Sequence, residues 1–135
     1  MSLVSADHRL RVARPSRSLV AAERFWCEGV GLDVLWRTGP DAEGGHALLM
    51  VGPPGGAWHL ELVADPEALA ANPPGEEDLL VVYRGRPVSD EEIERLVAAG
   101  GRRVTARNPY WDEHGVTIQD PDGYRLVLSH RTWDA

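Results

Sequence analysis

The chain has 135 residues, 43% hydrophobic and 26% charged, enough for one packed core and too few for two. A formal net charge of −7 excludes the basic footprint that nucleic acid or an anionic membrane requires. No apolar run approaches the ~20 residues of a spanning helix.

In chain order, residues 8–13 alternate as a strand. A helix then begins near Ser16 or Ser18, both good N-caps, and covers 19–29. Leu19, Ala22, Phe25 and Trp26 recur at helical spacing and form its inward stripe, and Gly29 and Gly31 stop it. Strands are expected over 33–38, 46–51 and 57–63, separated by the turn chemistry of 39–45 and 52–56. Residues 64–77 read as a polar, proline-rich connector with at most one helical turn. The second half repeats the order. A strand at 78–83 precedes a capping box, Ser89 with Glu92. The helix that follows carries Ile93, Leu96 and Val97 inward and ends at Gly100-Gly101. Strands at 102–106, 115–119 and 124–130 complete it. Residues 108–114 read as a polar loop, and Asp120-Pro121-Asp122-Gly123 as the last turn. Each half is β-α-β-β-β.

Three stretches carry a family resemblance: LRVARPSRSLVAAERFWCEGVGL at 10–32, HLEL at 59–62 and DPDGYRLVL at 120–128. In this order and spacing the sequence resembles the vicinal oxygen chelate superfamily of glyoxalases, bleomycin-resistance proteins and extradiol dioxygenases. The resemblance implies an α+β fold in one glyoxalase-like domain spanning 1–135. Two βαβββ modules, about 7–64 and 78–130, would be joined by a linker over 65–77. Their mixed sheets would curl openly around a pocket. It also implies a metal centre with a ligand from the first and last strand of each module, which carries over to Asp7, Glu61, Asp78 and Val127. Valine has no donor atom, and His8 lies one register away from the ligand position. No cofactor is therefore expected. If a divalent metal is held, Asp7, His8, Glu61 and Asp78 are its candidates.

The residues themselves suggest a second kind of site. His59 and Glu61 stand two apart on one strand and share a face, a pairing suited to acid–base work or to hydrogen-bonding a ligand. Arg9 and Arg11 share the face of Asp7, and Arg125 and Ser129 share that of Val127. Leu10, Val12, Leu126 and Leu128 lie opposite, where helices pack. Inward Arg11 and Arg125 require negative partners, and a carboxylate or phosphate suits guanidinium geometry. The expectation is one cavity lined by Arg11, His59, Glu61 and Arg125, with Tyr110 or Trp111 at its rim as an aromatic platform. All 14 basic residues are arginine, so no Schiff-base lysine exists, and no P-loop, G-x-S-x-G or H-E-x-x-H is present.

Two function classes follow. The first is metal-independent binding or sequestering of an organic small molecule. The alternative is a metal-dependent lyase, isomerase or dioxygenase, and a metal-free enzyme using His59 and Glu61 lies between. Uncovered sheet edges favour a homodimer. The N-terminus lacks an apolar signal core and Cys27 is the single cysteine, so a reducing cytoplasm is the expected compartment.

Overall fold

β1 (Leu10–Ser16) pairs in parallel with β4 (Trp58–Ala64), and β3 (Leu48–Gly52) and β2 (Asp33–Thr38) continue the sheet antiparallel. Sheet 1 thus has the order β1-β4-β3-β2. β5 (Leu79–Tyr83), β6 (Arg102–Val104), β7 (Gly115–Gln119) and β8 (Arg125–Ser129) build sheet 2 in the corresponding order, β5-β8-β7-β6. The fold is α+β with two open, mixed four-stranded sheets. This computed structural model describes residues 2–41 and 44–134. Part of the turn expected over 39–45, residues 42–43, lies outside the described residues.

Period-two alternation fills the core. Leu60 and Leu62 of β4 and Leu49 and Val51 of β3 meet Val116, Ile118 and Leu126 of sheet 2 in one buried cluster. Ser18 caps α1 (Leu19–Glu23) by accepting from the Ala21 N–H at 3.2 Å. The helix then widens into a π-helical turn, Arg24–Gly29, in which the Val30 N–H reaches back five residues to the Phe25 carbonyl. Adjacent Phe25 and Trp26 are both fully buried, edge to face with centroids 5.0 Å apart. Gly101 stands where a Cβ would lie 2.6 Å from the Phe25 ring, so only glycine admits this packing.

The structure corrects four sequence expectations. β1 runs through Arg14-Pro15 to Ser16, since it is an edge strand and tolerates a missing N–H. Val97 of α3 (Asp90–Ala98) is half exposed, and Leu96 and Ala99 carry the buried stripe instead. The strand expected over 102–106 ends at Val104, because the Ala106 N–H bonds to the Asp112 carboxylate rather than to a strand. The polar loop is helical: α4 (Pro109–His114) starts at proline and is capped by Asn108, which accepts from the Tyr110 N–H at 3.0 Å. The connector holds α2 (Pro66–Ala71), capped by Asp65.

The Asp120–Gly123 turn ties the halves together. Asp120 accepts the backbone N–H groups of Asp122 and Tyr124, and Asp122 accepts the Arg17 N–H at 2.9 Å. Arg17 returns a bond to the Pro121 carbonyl, and the Arg14 guanidinium lies 4.5 Å over the Tyr124 ring. Burial outweighs these bonds and pushes the Asp120 carboxyl up to about 6.

Candidate functional site

Leu60 and Leu62 face the helices, so alternation along β4 turns His59 and Glu61 to the opposite face. Parallel pairing sets Arg11 beside His59. The Arg11 guanidinium donates through Nε to His59 Nε2 at 2.9 Å and through NH1 to Glu61 Oε2 at 2.9 Å. With its Nε2 lone pair engaged, a neutral His59 ring carries its proton on Nδ1. Glu61 is largely covered, with 16% of its side chain exposed, whereas Arg11 is half exposed. The arrangement offers donors on Arg11 and His59 and a second carboxylate oxygen on Glu61 to whatever approaches this face.

Trp36 belongs to the same surface. It pairs with Met50, which pairs with Glu61, and it is 60% exposed. Simple alternation would leave Trp36 on the face of Val34, which pairs with the buried Val51. A bulge between them re-aims the indole away from the core. Bulges leave no mark in a single sequence, so sequence reasoning missed this residue.

The corresponding face of sheet 2 is closed. Val127, Thr117 and Ser129 lie opposite the core-facing Leu126 and Leu128, and all three are at most 1% exposed. α4 packs on β7 and β8. The C-terminal segment joins it: Arg131 donates to the Tyr110 hydroxyl at 3.2 Å, and Trp133 lies 5.9 Å from Tyr83. Tyr110 and Trp111 meet edge to face. Arg125 donates to the Thr105 carbonyl at 3.4 Å. Of the six expected lining residues, the chain brings Arg11, His59 and Glu61 together. Among the described residues no hydrogen bond or ion pair joins Arg125, Tyr110 or Trp111 to them.

The metal candidates stand apart. Asp7 accepts from the Ser5 hydroxyl, which holds its carboxyl below the usual range, and the Ser5 N–H donates to His8 Nδ1. Asp78 accepts the Gly75 N–H at 2.6 Å in the connector. Glu61 is engaged by Arg11, and Val127 offers no donor. Among the described residues no three His, Cys, Asp or Glu side chains converge. This donor set does not fit a metal ion.

The halves match the YycE-like N-terminal domain over residues 10–63 and the YycE-like C-terminal domain over 77–130. The chain is 36% identical over 122 residues to protein YycE of Bacillus subtilis, covering 89% of this chain and 86% of that protein. The crystal structure of the B. subtilis YycE protein superposes with a TM-score of 0.74 at 31% identity, over 94% of this chain and 92% of the other. TnmS3, an antibiotic binding protein from Streptomyces sp. CB03234, matches with a TM-score of 0.64 at 26% identity, over 98% and 100%. A glyoxalase/bleomycin resistance protein from the same strain gives 0.55 at 28% identity, over 91% and 99%. Two matched domains and a relative of nearly equal length carry one conclusion: the chain belongs to the YycE-like family, within the vicinal oxygen chelate superfamily of glyoxalase and bleomycin-resistance folds.

Proposed function

We propose that this protein binds an organic small molecule without a metal, on the open face of sheet 1. The observation that carries this reading is the Arg11–His59–Glu61 network beside an exposed Trp36. An exposed indole offers a planar apolar platform, and the three polar side chains orient a ligand laid against it. The likeness to an antibiotic binding protein over the full chain length points the same way. Arg11 spends Nε and NH1 within the network and keeps NH2 for an acceptor. The preferred ligand is therefore planar or aromatic and bears a carboxylate or phosphate.

Val34, Leu35 and Trp36 are all exposed on the edge strand β2. Such an edge asks for cover, which a homodimer supplies.

Tryptophan-quenching titrations with anionic, neutral and cationic naphthalene derivatives test this function. The anionic compound binds best, and Arg11→Ala weakens it by about 1.5–3 kcal/mol, the range for hydrogen bonds to charged groups. Chelator leaves the affinity unchanged. Preference for the cationic compound, or affinity that returns only with added metal, overturns the reading.

A further inference from the structure

A second concave site lies on the helix side of sheet 2, away from the Arg11 network. Three arginines, Arg84, Arg86 and Arg95, surround a pocket of about 200 Å³ with one carboxylate, Glu92, among them. The sequence around it builds the charge in. The turn after β5 carries Arg84 and Arg86, and α3 presents Glu92 and Arg95 one turn apart on the same side.

Their bonds leave donors spare. Arg84, only 12% exposed, donates to Glu92 at 2.7 Å and to the Pro87 carbonyl at 3.5 Å. Arg95 uses Nε alone, towards the Gly29 carbonyl at 3.0 Å. Among the described residues, Arg86 makes no side-chain hydrogen bond or ion pair. Glu92 is fully committed: the Ser89 N–H and the Arg84 guanidinium hold its carboxyl down at about 2. Three fixed positive charges against one fixed negative charge leave an excess of two, in a protein whose net charge is −7. A concave site with that excess attracts an anion against the overall field of the molecule.

The floor is of the other kind. Val30, Val88, Leu96 and Leu128 supply an apolar surface beneath the guanidinium rim. At about 200 Å³ the space is smaller than the ~300–1,000 Å³ of drug-sized sites. It suits a single ring or short chain, not a polycyclic body.

We propose that this pocket is a second ligand site, taking a small organic oxyanion, a phosphate monoester or a carboxylate on a compact apolar group. The guanidinium NH groups of Arg86 and Arg95 grip the head and the valine–leucine floor receives the body. Val30 comes from the end of the first helix and the rest from the second half, so an occupant touches both halves.

Phenyl phosphate is the probe, followed by amide chemical shifts of the full-length protein. Expected are saturable shifts at Val30, at 84–86 and 88, and at 95–96. Benzoate shifts the same amides, and inorganic phosphate and benzyl alcohol bind at least about tenfold more weakly, each lacking one half of the recognition. Arg86→Glu lowers phenyl phosphate affinity at least about tenfold, and Arg95→Gln, which retains an N–H for Gly29, lowers it severalfold. The midpoint of the shifts at Val30, Arg86 and Arg95 is the same in Arg11→Ala, whatever that variant does to binding on sheet 1. Shifts that are absent up to about 10 mM, equal shifts with benzylamine, or affinity indifferent to Arg86→Glu would overturn the site. Loss of these same pocket shifts through Arg11→Ala would tie them to sheet 1 and equally refute it.

Discussion

Asp120 is 5% exposed, and its second oxygen, Oδ2, has no partner among the described residues. Burial raises its carboxyl to about 6 from 3.8, so the folded protein holds this proton more tightly than the unfolded chain does. Stability from this group is therefore greatest at low pH and falls as pH rises from about 3.8 to about 6. A shift of about two units corresponds to about 3 kcal/mol of cost at neutral pH. Asp120→Asn keeps the acceptor for Asp122 and Tyr124 and removes the charge. Urea unfolding should show the variant more stable than the parent by up to about 3 kcal/mol at about pH 7, and the two nearly equal near pH 4. Glu92 titrates in the other direction: its carboxyl is held down at about 2, so its contribution is present above 4.5 and is lost as pH falls towards 2. At the same scale the Arg11–His59–Glu61 contact was legible in the sequence. His59 and Glu61 share a face because β alternation demands it, and parallel pairing delivered Arg11 to both. Arg125 shares a strand face with Val127 but bonds to Thr105 on sheet 2, because periodicity fixes a side chain's face and not which sheet stands opposite it.

Elements were legible wherever local chemistry is strong. The Ser89 capping box forms as read, with Ser89 accepting from the Glu92 N–H at 3.1 Å and Glu92 accepting from the Ser89 N–H at 3.0 Å. Ser89→Ala should cost about 1 kcal/mol in chemical denaturation, and an unchanged midpoint would show that α3 is held by packing alone. β2 spans 33–38 and β7 spans 115–119, the bounds that the flanking turn residues set. Tertiary effects were not legible. The bulge that turns Trp36 outward and the packing of Phe25 on Gly101 depend on partners distant in sequence, whereas α4 is set locally, by the Asn108 cap and Pro109 within a stretch whose polarity reads as loop. Trp36→Phe should keep the fold and weaken a planar aromatic ligand severalfold, measured by titration calorimetry. An unchanged affinity would remove the indole from the site.

At the scale of the molecule, the two sheets present unequal faces. Sheet 2 is closed by α4 and the C-terminal segment, with Val127 fully buried where the superfamily resemblance implies a ligand to metal. Sheet 1 leaves Arg11 and the edge-strand Trp36 exposed over half-buried His59 and Glu61. Light scattering at micromolar concentration should give twice the 14.8 kDa chain mass, and a strict monomer would contradict the proposed pairing. A principal ligand on sheet 1 is decided by amide chemical-shift mapping with 2-naphthoate, a two-ring planar carboxylate. Saturable shifts should centre on Arg11, Trp36, His59 and Glu61; shifts confined to sheet 2 or to the Arg84–Arg95 pocket would rule sheet 1 out.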